Sequence, residues 1–210
     1  MKQSELKAIL QDHKLWVEST HKQGKRANLY GANLQNANLY GANLQNANLQ
    51  GVSLESAYLQ GANLQNANLQ GANLERASLQ DVNLQDVNLQ GANLERANLK
   101  RANLVGANLR KANLRKANLV YANLQGANLQ GANLPCVDLH GASLVGASLV
   151  GASLVGASLV GAKFTTNFKK VGWFQYATFS KDQIPWVCLH PRFHEWADTL
   201  KWVKAEAEAA

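Results

Sequence analysis

The sequence predicts an all-β solenoid wound from five-residue words, with an α-helical segment at each end. Three observations carry that reading. From Leu29 onward, Leu stands at every fifth position as far as Leu159, and Phe164 takes the next place. A small residue precedes each by two, as in Ala27, Ala32 and Ala37, with Val52, Val82, Val87 and Val137 as larger exceptions. Glycine closes many words, and fourteen of the 16 glycines fall at that one position, so they have a common structural job. A period of five suits neither a helix nor a plain strand. Within a word, however, Ala and Leu are two apart and share a side of extended backbone. The Asn or Ser between them points the other way. Glycine then supplies a turn, because it tolerates positive φ. Repetition of this unit winds a coil whose interior is a ladder of leucines, and a strict apolar ladder sets the tract apart from disordered low-complexity chain.

The elements follow in order. Residues 1–25 are expected to form a capping helix and linker. Leu6, Ile9, Leu10, His13 and Trp16 or Val17 recur at helical spacing, with Ser4 as N-cap. Residues 26–181 form the repeat body, regular to 166 and degenerate beyond. Twenty-eight words run from Ala27 to Thr166. Lys169 breaks the ladder, and Phe174 and Phe179 restore it. Residues 182–210 are expected to form a second capping helix. Pro191 suits its first turn, and Phe193, Trp196, Ala197, Leu200 and Val203 form its apolar stripe before AEAEAA. Trp173, Trp186, Trp196 and Trp202 fall in this last part and read as cap core. Caps are needed because a solenoid otherwise leaves an open edge and open core at each end.

Composition sets further bounds. Hydrophobic content of 46% fits a folded domain, and no run approaches ~18 apolar residues, so no membrane insertion is expected. The start reads as amphipathic helix and not as a signal peptide. Cys136 and Cys188 are too few for a disulfide scaffold and read as reduced thiols in a cytoplasm. The net charge of +7 is spread out, with no basic tail.

The words ANLYG, ANLQN, ANLQG and ASLVG resemble the pentapeptide-repeat family over about residues 26–166. The stretch HKLWVES…GKRANL resembles leaders of its cyanobacterial members. The resemblance implies a right-handed quadrilateral parallel β-helix with four words per turn. Seven coils at about 4.8 Å would then make a rod ~34 Å long. It implies little about task, because fold does not fix function. Some members protect DNA gyrase by mimicking DNA with an acidic rod. Here residues 26–166 carry ten basic and six acidic side chains, which opposes mimicry.

With four words per turn, residues twenty apart stack. Arg96, Lys100, Arg101, Arg110, Lys111, Arg115 and Lys116 then form a basic band on three of four sides. Arg115 beside Glu95, and Arg76 beside Glu75, offset the stacking of Glu75 over Glu95. The band is a candidate partner surface, for a protein or, as the alternative, for nucleic acid or gyrase; the plain reading is a solvated charged coil. Val145, Val150, Val155 and Val160, one per face of the four GASLV words, form a candidate apolar girdle. It would serve as exposed strand, be covered by the C-terminal segment, or receive a second molecule.

Catalytic chemistry has little support in the sequence. His190 and His194 are four apart but lack a third ligand beyond Glu195, and Cys136 has only His140 nearby. The glycines belong to turns, not to a phosphate loop. The expectation is a non-enzymatic, cytoplasmic protein-binding or scaffold module, without cofactor or metal, as a monomer or weak homodimer.

Overall fold

In the computed structural model, residues 1–164, 174–180, 183 and 200–203 are described. The repeat body is a parallel solenoid with four words per coil. Each Asn or Ser position bridges to the residue twenty further on, from Asn28 with Asn48 to Asp138 with Ser158. We number the four faces by their leucines in the first coil: face 1 at Leu29, face 2 at Leu34, face 3 at Leu39 and face 4 at Leu44.

Three backbone bonds tie each word to the next coil. For face 1 they run from Leu29 N–H to Asn48 C=O (2.7 Å), from Gly31 N–H to Gln50 C=O (2.9 Å), and from Asn48 N–H to Ala27 C=O (3.0 Å). A fourth bond, Ala32 N–H to Leu29 C=O (3.1 Å), closes the turn inside the chain. The backbone is thereby satisfied between coils without long strands. Among the described residues, runs long enough to be strands occur near the end: β1, Ser143–Leu144, pairs with β2, Lys163–Phe164, and β3, Thr178–Ser180, pairs with β4, Lys201–Val203, both in parallel.

Inside, every ladder leucine from Leu29 to Leu159 is 5% exposed or less, and Val52, Val82, Val87 and Val137 are as buried as the alanines. Phe174 and Phe179 continue the core, edge to face at 6.1 Å. Phe164 is partly buried against it.

The corners show where the glycine argument was too narrow. Every corner has positive φ, whether it is Gly31 (61°), Asn36 (58°), Asp86 (54°) or Arg96 (58°). The winding demands a left-handed residue in each word, and glycine is only the cheapest occupant. At two corners a side chain from the coil before leans over the glycine and would have to move for any Cβ. At Gly106 a Cβ would meet the Asp86 carboxylate, and at Gly141 it would meet the Tyr121 ring.

Outside, asparagine does two jobs. Its Oδ1 accepts the N–H two residues on, as from Gln35 to Asn33 (3.0 Å) and from Glu95 to Asn93 (3.1 Å), which holds the start of the turn. Its Nδ2 donates to the asparagine one coil earlier. Such ladders run Asn63–Asn83–Asn103 on face 4, Asn68–Asn88–Asn108 on face 1 and Asn73–Asn93–Asn113–Asn133 on face 2. Face 3, with Tyr58 and Ser78 in that column, has none among the described residues.

Helix α1, Gln3–Glu18, precedes the first coil. Leu6 joins the core, Ile9 and Leu10 pack on it, and His13 is fully buried. Lys2 is the N-cap residue and makes no side-chain cap bond; Ser4 lies inside the first turn. Ser4 is therefore not the cap, because the helix starts two residues too early for its hydroxyl.

The expected helical stripe at the other end does not reach Val203. Lys201–Val203 is strand β4, in register with Thr178–Ser180, and Lys201 N–H donates to Ala177 C=O (3.0 Å). The partner lies 23 residues on instead of 20. The open edge of β3 needs hydrogen-bond partners, and the aromatic, β-branched pair Trp202–Val203 suits a strand. Pro191, Phe193, Trp196, Ala197 and Trp173, Trp186 lie outside the described residues, as do Lys169 and the tail AEAEAA.

Candidate functional site

The basic residues occupy the two outermost positions of their words, the last side chain before the corner and the corner itself. Arg110 and Lys111 stand on the edge between faces 1 and 2. Arg96, Arg115 and Lys116 stand between faces 2 and 3, and Lys100 and Arg101 between faces 3 and 4. Arg96 and Lys116 are stacked one coil apart, above Arg76 on the same edge. Arg96, Arg101, Lys111 and Lys116 all have left-handed φ near 57°. Their Cα positions are thus fixed by the winding, while their side chains are exposed.

Acidic neighbours engage two of the seven. Arg101 makes a two-pronged contact with Asp81 one coil below, Nε to Oδ1 at 2.8 Å and Nη2 to Oδ2 at 2.9 Å. This hydrogen-bonded guanidinium holds the Asp81 carboxyl below its ordinary pKa, and Arg101 is raised in return. Arg115 faces Glu95 at 3.9 Å, and Arg76 faces Glu75 at 3.6 Å. The stacking rule places Arg115 on Glu95 from sequence, and Arg76 is simply the neighbour of Glu75. Asp81 was missed, though it is twenty residues before Arg101 and the same rule finds it. Among the described residues, Arg96, Lys100, Arg110, Lys111 and Lys116 make no ion pair.

One aromatic group borders this surface. Tyr121, 56% exposed, sits one coil above Arg101, with His140 edge-on at 5.6 Å. The valine girdle is uneven. Val145 and Val150 are exposed (39% and 38%), Val155 is half-buried and Val160 is buried. Residues of the C-terminal segment account for the last. Ser180 stacks on Val160 as the next coil, its hydroxyl accepts from Gly161 N–H (3.3 Å), and Gln183 Nε2 donates to Leu159 and Ala162 C=O (2.8 and 2.7 Å). The GASLV words also end the amide ladders, since serine is too short to continue them; Gln125 Nε2 reaches Ser143 Oγ at 3.3 Å instead.

His13 joins α1 to the first coil. Its Nδ1 accepts from Ala27 N–H at 3.1 Å, so the ring is neutral with its proton on Nε2. Burial lowers its pKa; the Gln45 carbonyl opposes this, and the Arg26 charge adds to it. Trp16 stacks between His13 and His21, at 5.6 and 3.8 Å.

Cys136 is exposed at a corner, with φ 55°. Among the described residues no three His, Cys, Asp or Glu side chains come together as a metal group. His190, His194, Glu195 and Cys188 lie outside the described residues. No described helix is long and apolar enough to cross a membrane.

The family model for pentapeptide repeats matches residues 25–61, 57–96, 97–134 and 132–166, in 8 copies. The chain belongs to the pentapeptide-repeat family. Its body is therefore the right-handed quadrilateral β-helix of that family, in agreement with the four bridged faces. Among solved structures it is similar to HetL, a pentapeptide repeat protein involved in heterocyst differentiation regulation from the cyanobacterium Nostoc sp. strain PCC 7120, at 42% identity over 66% of each chain (TM-score 0.36). It is also similar to Rfr23 from the cyanobacterium Cyanothece 51142, at 41% identity over 45% of this chain and 61% of that one (TM-score 0.40). The chain thus spans about two thirds, or less, of the length of these relatives. QnrB1, a plasmid-mediated fluoroquinolone resistance protein, is 20% identical over 74% of this chain and 76% of its own (TM-score 0.55), and shares the fold. No curated protein sequence matches the chain.

Proposed function

We propose that this pentapeptide-repeat protein is a non-enzymatic, rigid protein-binding or scaffold rod of the cytoplasm, which docks an acidic partner on its basic edges. Helix α1 acts as the N-terminal cap. The observation that supports this reading is the set of unpaired cations Arg96, Lys100, Arg110, Lys111 and Lys116, set on backbone held by inter-coil bonds. Such an array presents charge at fixed spacing and loses no backbone entropy on docking, which favours specificity and a fast encounter. A protein partner that wraps the rod fits its three basic edges better than a single strand does, because bases want several aromatic platforms and, among the described residues, Tyr121 is the one beside these cations.

The test compares the parent with a variant carrying Gln at those five positions. A protein partner captured by the parent and lost by the variant supports the reading. Equal capture by both refutes it. Micromolar DNA or RNA binding at ~50 mM salt that the variant loses would select nucleic acid instead.

A further inference from the structure

The first coil carries a surface independent of the basic edges. In every later coil each word receives three bonds from the coil before it, through its Asn N–H, its Asn C=O and the C=O two residues on. The first coil has no preceding coil, and α1 crosses its end without replacing those bonds. Ala27 N–H meets His13, and the Met1 amine donates to Asn33 C=O at 3.4 Å. Among the described residues, Asn38 N–H and C=O, Tyr40 C=O, and Asn43 N–H and C=O on faces 3 and 4 have no backbone partner, and Asn28 N–H and C=O on face 1 likewise have none. Ala32, Ala37 and Ala42 are only partly buried, unlike Ala27 and every repeat alanine after Ala42. The helix therefore closes the end tightly only around Ala27 and leaves the edges of the other faces open.

That open edge forms one wall of a groove of about 700 Å³, and α1 forms the other. Leu10, Leu15 and Leu39 supply apolar surface, while Lys7, Lys14 and Glu18 line the helical wall, which leaves Lys7 as its uncompensated charge. Lys14 lies 3.7 Å from Glu18, and Lys7 has no ion pair among the described residues. Tyr40, 75% exposed, flanks the opening.

We infer that this groove takes an extended, acidic peptide segment of a partner protein by strand addition to the edge at Asn38–Tyr40. The donor–acceptor order of the edge dictates backbone pairing, as the next coil does on the other side. The alternation of an extended peptide then sets acidic side chains against Lys7 and Lys14 and apolar ones against Leu10 and Leu39. The occupant is short, because the chain turns at Gly41 and a straight strand matches only one face.

The probe is a hexapeptide alternating Glu and Val, blocked at both ends, titrated into the full chain and followed by amide NMR. Saturable shifts at Asn38, with slowed exchange of its N–H, are expected at peptide concentrations below ~1 mM, a weak site as befits about three backbone bonds. N-methylation of the edge-facing peptide amides should weaken binding about tenfold or more, and the Lys7→Glu, Lys14→Glu chain should do the same. Absence of shifts at Asn38, or unchanged binding by the N-methylated peptide, would overturn the inference. So would protection of Asn38 that grows with protein concentration alone, which would assign the groove to a second copy. Because the basic edges lie coils away, loss of the five cations there should leave this binding unchanged.

Discussion

Replacing Asn93 with Ala tests how much of the rod's stability lies outside its core. Asn93 Oδ1 accepts from Glu95 N–H at 3.1 Å and from Asn113 Nδ2 at 3.0 Å, and its Nδ2 donates to Asn73 Oδ1 at 3.2 Å. Alanine removes all three without touching Leu94 beneath. A net hydrogen bond contributes about 0.5–1.5 kcal/mol, and water can replace part of each at this half-buried site, so a loss of about 2 kcal/mol is expected. For a chain of this size that is a fall in melting temperature of roughly 4–8 °C. Circular dichroism melts measure it, with hydrogen exchange as the local readout: Glu95 N–H should lose protection while Leu94 N–H, bonded to Asn113 C=O at 2.7 Å, keeps it. Asn93→Ser, which copies the GASLV words, should recover part of the loss because a hydroxyl can still accept the turn N–H. A melting temperature unchanged to within about 1 °C would show that the ladders are solvated surface and would refute the reasoning.

Other outcomes follow from single contacts. Leu94→Asp should prevent folding, since its position is fully buried between coils and an unpaired carboxylate there costs several kcal/mol; a soluble variant with the parent's spectrum would contradict the inward assignment. Gly31→Ala should cost about 1–2 kcal/mol for its left-handed φ alone, whereas Gly106→Ala should cost more because its Cβ meets the Asp86 carboxylate, and comparative melts decide this. Acidification should loosen the α1 junction. The folded pKa of His13 is lowered below that of the unfolded chain, near 6.5, so stability is constant well above that pH and is lost as pH falls through it toward the folded value. His13→Gln should flatten that dependence in melts between pH 8 and 5. Deleting residues 200–210 removes β4 and opens the edge of β3, so light scattering should report association absent in the parent.

Interior positions were legible because each answers to one strong constraint. Leu at period five, with a small residue two before it, leaves only a coil that buries both, and the stacking of residues twenty apart then fixes every column on the surface. The same arithmetic places Arg115 on Glu95 and would have placed Arg101 on Asp81. It fails where the chain leaves the period. Leu200 and Val203 fit a helical stripe by spacing, but the unpaired edge of β3 is a stronger claim on Lys201–Val203 than local periodicity. Ser4 fails for a smaller reason, a two-residue shift of the helix start that moves its hydroxyl inside the first turn. The open groove beside Asn38 had no signal of its own in sequence, because it depends on which side of the first coil α1 covers.

The GASLV stretch shows why partner surfaces are harder to read than folds. Four identical words occupy four faces, and the core treats them alike, with Leu144, Leu149, Leu154 and Leu159 all buried. Their outer valines nevertheless range from exposed at Val145 and Val150, through half-buried at Val155, where Gln175 is the next coil, to buried at Val160, which Ser180 and the bonds of Gln183 overlay. Exposure of an outer side chain is set by what the chain does twenty residues later, not by the word that carries it. The winding fixes Cα positions at the corners but is indifferent to whether Gly, Asp, Arg or Tyr stands there, apart from the cost of left-handed φ. Chemical identity at those columns is therefore the part of the sequence free to encode partners, and Lys111, alone among glycines from Gly31 to Gly151 on its edge, is the substitution least explained by folding. Lys111→Gly should accordingly leave the melt unchanged or raise it slightly, by relief of left-handed strain worth about 1 kcal/mol, while weakening capture of the acidic partner. A marked fall in stability would show instead that Lys111 serves the rod, and the basic edge would lose its clearest claim to function.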